Sequence, residues 1–241
     1  PNKKEYYFHL AKTYHLLKKY DLSIMEYQEA INIDEDYWEA FFCLGNVLTE
    51  KGRFNDAIVC YHNAISIEPE KEEVYLNLGK VYNNLELYDE AIYTFENLLS
   101  LNRNDIEAKL ELEKAFQIKK KIQSADLNNL GIAYAEKDKF DKAIEKFQKA
   151  MLINPEDVEI KYNLAYAFYK KGSLVQASFE FKSLLERHPE MFDIYLTLGE
   201  IYEQQNNRKL AIEEYSKFIK LCGNDQRKIE IEKKISTLNK N

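Results

Sequence analysis

The sequence predicts an all-α protein, a solenoid of six helical hairpins, and three observations carry that prediction. Seven glycines and four prolines in 241 residues are too few for the many tight turns of a β-sandwich or barrel. A Leu followed by Gly or Ala recurs at Leu10-Ala11, Leu44-Gly45, Leu78-Gly79, Leu130-Gly131, Leu164-Ala165 and Leu198-Gly199, in steps of 34, 34, 52, 34 and 34 residues. A fixed period of that length marks stacked supersecondary units that bury a continuous core between neighbours. Within each period the apolar residues keep helical spacing, which supplies the third observation.

The first helix of each hairpin is read from the Leu-small pair and from a large residue three positions later: Tyr14, Leu48, Tyr82, Tyr134, Phe168 and Tyr202. Three residues are close to one turn, so the two signals share a face. The second helix begins about nine residues on, where a second small residue falls at Ser23, Ala57, Ala91, Ala143, Ala177 and Ala211, each followed four residues later by Tyr27, Tyr61, Phe95, Phe147, Phe181 or Tyr215. Small residues on both helices let their axes approach closely, and the aromatics fill the space beside that contact. Turn signals such as Lys51-Gly52-Arg53, Glu136-Lys137-Asp138 and Lys171-Gly172-Ser173 separate the two helices, and Pro69, Pro155 and Pro189 stand between hairpins, where a helix interior cannot continue.

The 52-residue step exceeds the period by 18 residues, room for one further helix. Residues 105–123 contain neither Gly nor Pro and place Leu112, Phe116 and Ile122 on or near one face. Residues 109–114, Lys-Leu-Glu-Leu-Glu-Lys, match residues 228–233, Lys-Ile-Glu-Ile-Glu-Lys, and both follow a third hairpin. Two related modules are therefore expected. The first is 1–123, with repeats 4–37, 38–71 and 72–105 and a closing helix over 106–123. The second is 124–241, with repeats 124–157, 158–191 and 192–225 and a closing helix over 226–241. Fourteen helices follow, the closing ones near 106–122 and 226–239, and the junction near Gln123 is where a kink or hinge has room to form. A closing helix covers the apolar flank that a terminal repeat would otherwise expose.

With this spacing the chain resembles the tetratricopeptide repeat family, whose pattern W-x2-L-G-x2-Y…A-x3-F…P is nearly filled by Phe41, Leu44, Gly45, Leu48, Ala57, Tyr61 and Pro69. The first repeat departs with Ala11 and Ser23, and the third and sixth carry Arg103 and Gly223 where the closing proline belongs. The resemblance implies a right-handed α-α superhelix whose concave wall is lined by the first helix of each pair. It also implies a scaffold or adaptor that binds a partner's peptide or helix in that groove. Two alternatives are the substrate-recruiting region of a larger enzyme, such as a glycosyltransferase, and a scaffold that self-associates through the solenoid edge.

The residue before each Leu-small pair is expected to face the groove: His9, Cys43, Asn77, Asn129, Asn163 and Thr197. An asparagine amide offers both a donor and an acceptor to a peptide backbone, and the resemblance implies that such a ladder holds an extended chain. Exposed amides of this kind should contribute little to stability. Phe8, Phe42 and Tyr162 are expected to point into the same groove as anchors, with Lys12, Asn46 and Lys80 beside them. The family's carboxylate clamp needs Lys and Arg where this sequence has Phe8, Lys12, Cys43, Glu73 and Asn77 in one module and Asn128, Ile132, Asn163, Asp193 and Thr197 in the other. A chaperone-tail clamp is not expected.

Charge narrows the partner. Residues 1–123 hold 15 Lys/Arg against 22 Asp/Glu, and residues 124–241 hold 19 of each. Glu5, Glu39, Glu50 and Glu73 on the first wall, offset by Lys12 and Lys80, favour a basic or mixed-charge protein partner through steering. With a net charge of −7 and no basic stripe, the chain lacks the electrostatic footprint of a nucleic-acid binder. No apolar stretch of about 18 residues is present, so direct membrane insertion is not expected. Cys43, Cys60 and Cys222 are odd in number and widely spaced. They fit neither a disulfide framework nor paired CxxC zinc ligation, and reduced thiols suit a cytoplasmic protein. His9, Cys43 and His15 lack the spacing that fixes two metal ligands on one face. No phosphate loop, nucleophile elbow or Ser/His/Asp grouping appears. Neither a metal, a cofactor nor a catalytic activity is expected.

Overall fold

In the computed structural model, which describes residues 3–240, the chain folds into thirteen α-helices and no strand among the described residues. They are α1 (Lys3–Leu16), α2 (Tyr20–Ile33), α3 (Trp38–Glu50), α4 (Phe54–Ile67), α5 (Glu72–Asn84), α6 (Tyr88–Leu101), α7 (Ile106–Ala135), α8 (Phe140–Ile153), α9 (Val158–Lys171), α10 (Leu174–Arg187), α11 (Phe192–Gln204), α12 (Arg208–Leu221) and α13 (Arg227–Lys240). Two compact units divide the chain between Lys119 and Lys120, within α7.

In the first unit α1 pairs with α2, α3 with α4 and α5 with α6, and each pair packs on the next. The first partner of a pair is called the A helix and the second the B helix. In the second unit the A helices are the last turns of α7, α9 and α11, and the B helices are α8, α10 and α12. The contact that closes each pair is the one the spacing predicts. Ala57, Ala91, Ala143, Ala177 and Ala211 are fully buried, as are Tyr27, Phe95, Phe181 and Tyr215. A Cβ added to Gly79 would lie 2.5 Å from Phe95 Cε1, and one added to Gly131 would lie 2.5 Å from Phe147 Cε1. In the first pair, where Ala11 and Ser23 replace Gly and Ala, the Ser23 hydroxyl donates to the Ala11 carbonyl at 2.8 Å, so that buried polar group is satisfied.

Every A helix ends the same way. Lys18, Gly52, Glu86, Asp138, Gly172 and Asn206 all adopt positive φ, between 55° and 85°. The next residue's N–H donates back to the large residue of the A helix, as in Lys19 to Tyr14 (2.9 Å), Leu87 to Tyr82 (2.9 Å) and Ser173 to Phe168 (2.9 Å). This is a Schellman stop, which favours Gly or Asn at the left-handed residue. Lys18 and Glu86 hold that conformation against a penalty of roughly 1–2 kcal/mol.

The structure differs from the sequence reading at residues 106–135, where one 30-residue helix replaces two expected helices. The helix passes through Gln123 without a break, so thirteen helices stand in place of fourteen. An 18-residue offset is five turns of 3.6 residues, so the helical pattern resumes in phase, and neither Gly nor Pro interrupts it. Its first half buries Ala108 and Ala115, with Leu112 and Phe116 packed against the cluster that also holds Phe95 and Leu98. Its second half packs Ile132 and Tyr134 against the cluster that holds Ala143, Ile144 and Phe147. Leu130 is 43% exposed, whereas Leu44, Leu78, Leu164 and Leu198 are buried; no preceding B helix covers it within its unit. At the other end of the second unit, α13 packs on α12 through Ile231, Ile235 and Leu238.

Two consequences can be measured. Glu86→Gly should raise unfolding stability by about 0.5–1 kcal/mol by removing the left-handed penalty, while Gly79→Ala should lower it by about 1–3 kcal/mol through overpacking on Phe95. A fall in stability for Glu86→Gly in denaturant titration would contradict the turn geometry. Burial raises the Tyr61 phenol to about 12 and also raises Tyr27 and Tyr215. The folded state therefore holds these protons more tightly than the unfolded chain, and stability is retained below about pH 10 and lost as the pH rises above it. Absorbance titration should show these tyrosines ionising together with the loss of helical circular dichroism.

Candidate functional site

The A helices present the polar and aromatic side chains that distinguish this chain. In the first unit, Phe8 packs against Tyr27 and Tyr37, with ring centroids 5.7 and 5.1 Å away, and Lys12 Nζ lies 5.6 Å from the Phe8 centroid. Phe42 lies between Trp38 and Tyr61 at 6.3 and 6.2 Å. Both phenylalanines are half-buried and form seams against Tyr27 and Tyr61 of the neighbouring helix. Asn46 Oδ1 accepts from Tyr61 Oη and from Asn77 Nδ2, each at 2.8 Å. Lys80 pairs with Glu107 at 2.6 Å.

In the second unit a different asparagine carries the network. Asn163 Nδ2 donates to Asn128 Oδ1 at 3.0 Å, and Asn128 Nδ2 donates to Glu159 Oε1 at 3.1 Å. Asn128 is buried and Asn129 exposed. The structure thus brings Asn77 and Asn163 into side-chain pairs with Asn46 and Asn128. Asn129 enters no side-chain hydrogen bond among the described residues. The expectation that these amides are merely exposed differs from what is observed for Asn77 and Asn163, whose donors serve neighbouring A helices.

On α9 the expected groove residue Tyr162 is joined by two further tyrosines. Tyr162 stacks on Tyr166 with centroids 6.2 Å apart and planes 8° apart, and Tyr166 meets Tyr169 at 6.0 Å. The spacing i, i+4, i+7 places Tyr166 and Tyr169 on one face with the expected groove residue Tyr162, but tyrosine is so frequent at core positions here that the sequence does not distinguish these two from packing residues. Each tyrosine lines a separate cavity. Tyr162 lines one of about 470 Å³ with Val158, Met191, Phe192 and Asp193. Tyr166 lines one of about 270 Å³ with Ile132, Phe140, Asn163 and Lys170. Tyr169 lines one of about 470 Å³ with Glu200, Glu203, Gln204 and Lys234.

The rims are charged and partly paired. Arg227 contacts both Asp193 and Asp225 at 2.6 Å, and Asp225 is held down at about 2 by the Arg227 hydrogen bonds. Glu203 accepts from Tyr215 Oη at 2.8 Å and pairs with Lys234 at 2.9 Å. The Tyr169 hydroxyl donates to Glu200 at 2.9 Å, and burial, reinforced by that bond, lifts its phenol to about 12. Burial also raises the Tyr162 phenol. Lys170 Nζ lies 5.4 Å from the Tyr166 centroid. The first two cavities are apolar sockets with hydrogen-bonding rims, and the third is lined by charged and amide groups beside Tyr169.

Stacked helical hairpins with their polar chemistry on the A helices define an α-solenoid of the repeat class. The family model described as "TPR repeat" matches residues 11–49, 45–86 and 128–172, and that described as "Tetratricopeptide repeat" matches 72–105 and 192–225. The chain belongs to the tetratricopeptide repeat family. It is 28% identical over 107 residues to the TPR repeat-containing protein MJ1428 of Methanocaldococcus jannaschii, covering 44% of this chain and 18% of that one. It is also 28% identical over 91 residues to anaphase-promoting complex subunit 3 of Schizosaccharomyces pombe, covering 38% and 14%. The matched segments thus span less than a fifth of either relative. The TPR2AB domain of yeast Sti1, solved as a pHSP90 complex, shares the fold with a TM-score of 0.53 at 16% identity over 98% of both chains.

The two asparagines make opposite expectations. Asn128→Ala removes the acceptor of Asn163 inside a buried network and should lower stability by about 1–2 kcal/mol. Asn129→Ala should change it by less than about 0.5 kcal/mol. Equal thermal midpoints for the two variants would contradict the network.

Proposed function

We propose that this chain is a non-catalytic interaction scaffold whose A-helix groove receives a helical or extended segment of another protein, with the α9 tyrosines as the principal anchors. The observation that carries this reading is the placement of Tyr162, Tyr166 and Tyr169, each lining its own cavity. At 1.5 Å per residue the three span about 10 Å along the helix. A partner helix laid along α9 presents side chains at i, i+4 and i+7 with that same spacing, the helix-in-groove mode of recognition.

The polar groups set the partner's character. Glu159, Glu190 and Asp193 border the first cavity, and Glu200 and Glu203 border the third beside Lys234. Carboxylates therefore outnumber cations, which favours basic side chains flanking the apolar anchors. In the first unit Glu5, Glu39 and Glu73 repeat the same sign beside Phe8, Phe42, Lys12 and Lys80. The Sti1 domain, a protein of the same fold, is solved with a pHSP90 partner, which supports partner binding in general. The absent clamp cations argue against the same ligand here.

Selection of a phage-displayed peptide library on the immobilised chain tests the reading. Enriched peptides should carry apolar or aromatic residues at i and i+4 and a polar or basic residue at i+7, and Tyr166→Ala, at a position 38% exposed, should weaken the winners at least about tenfold. Winners that bind Tyr166→Ala as tightly as the parent chain would remove α9 from the site.

A further inference from the structure

The opposite side of the first unit carries a second surface. Met25 on α2, Val59 on α4 and Tyr93 on α6 occupy one repeat position, 34 residues apart, and are 58%, 59% and 66% exposed. Large apolar side chains held in water at the same place on three consecutive B helices form a line, unlike the scattered exposed leucines found on any protein. The corresponding residues of the second unit are Glu145, Phe179 and Glu213, so the repeat itself does not demand an apolar group there. Beside Tyr93 a cavity of about 340 Å³ opens between α4 and α6, lined by His62, Tyr75, Leu78, Tyr82 and Glu90. His62 Nε2 lies 3.0 Å from the Tyr82 hydroxyl at its edge.

Charge identifies what fits this line. Helices α2, α4 and α6 contain seven carboxylates and neither Lys nor Arg, whereas α8, α10 and α12 contain nine Lys and Arg. Acidic groups fall one turn from each apolar residue: Glu29 from Met25, Asp56 from Val59, and Glu90 and Glu96 from Tyr93. Asp21, Asp56 and Asp89 are paired with Lys51, Arg53 and Lys119. Glu26, Glu29, Glu90 and Glu96 stand outside the ion pairs of the described residues. An apolar line edged at Met25 and Tyr93 by carboxylates outside these ion pairs complements an amphipathic helix whose apolar stripe is edged by Lys and Arg. A second copy presenting the same face would meet like charge.

We infer that the B-helix face of the first unit is a docking surface for a basic amphipathic helix of a protein partner, seated on Met25, Val59 and Tyr93 and separate from the A-helix site. Apolar contact supplies the affinity, and the carboxylates supply steering and orientation, so binding weakens as salt rises.

An 18-residue fluorescent peptide with Leu at helical a/d spacing and Lys elsewhere serves as the probe, its control carrying Glu in place of each Lys. The full chain should bind the Lys peptide and not the Glu peptide, with hydrogen-exchange protection on α2, α4 and α6. Val59→Ser/Tyr93→Ser, at exposed positions that leave the core intact, should weaken binding at least about tenfold. Glu29→Gln/Glu90→Gln/Glu96→Gln should weaken it and flatten its salt dependence. In Tyr166→Ala the protection of α2, α4 and α6 should persist unchanged, which separates this surface from the groove. No binding, binding indifferent to both sets of substitutions, or protection confined to α9 and α11 would overturn the inference. So would self-association of the free chain that Val59→Ser/Tyr93→Ser abolishes, since a second copy would then be the occupant.

Discussion

The close approach of each A helix to its own B helix depends on a small residue lying under an aromatic ring. Where that residue is glycine, an added Cβ would stand 2.3–2.6 Å from the ring carbons of Tyr61, Phe95, Phe147 or Tyr215, well inside van der Waals contact. The ring fills the wedge left by the missing side chain and is itself removed from water, contributing about 1.5–3 kcal/mol of burial. Where alanine stands at this place, as at Ala11 and Ala165, it too is fully buried. The contact sets the geometry of the pair and so decides which residues of each helix remain for other work.

That division has a direct consequence for surface chemistry. Once one side of an A helix is committed to its B helix and a second to the preceding pair, only a narrow strip is left, and it holds the asparagines, tyrosines and glutamates. Both units then satisfy part of this polarity internally, but in different registers. The first joins Asn46 to Asn77, 31 residues apart, and the second joins Asn128 to Asn163, 35 apart. The same residue type at one repeat position therefore contacts a different neighbour in each unit, because the register of a side-chain bond depends on what stands one turn away on the adjacent helix. In the first unit Tyr61 reaches Asn46 from the B helix; in the second, Glu159 recruits Asn128.

The ends of each unit follow from the same packing requirement. A terminal pair leaves an apolar flank, and the first half of α7 and α13 cover those flanks with alanine and isoleucine while turning lysine and glutamate outward. Glu113 of α7 stands 34 residues after Gly79, where the paired A helices carry Gly or Ala, since no B helix packs there to demand a small residue. The starts of the units are treated less completely: Tyr6 and Leu130 remain well exposed, each on the side of an A helix that a preceding pair would cover. No described helix is long and apolar enough to cross a membrane.

The sequence by itself determined the helical hairpin, its period, the buried small-aromatic contact and the family. These depend on local spacing repeated every 34 residues, and a periodic constraint is visible wherever it recurs. Even the left-handed turn was half-visible, through Gly52 and Gly172, though Lys18 and Glu86 concealed it at the same place. The single helix over residues 106–135 was legible in the 18-residue phase and the absence of Gly or Pro, but the repeat boundary masked it. The tertiary structure alone decided that Asn128 and not Asn129 joins the network, that Phe8 and Phe42 serve as seams, and that Tyr166 and Tyr169 open onto cavities. Those distinctions turn on which neighbouring helix covers a given side chain, a contact between residues about 30 positions apart that no local spacing encodes.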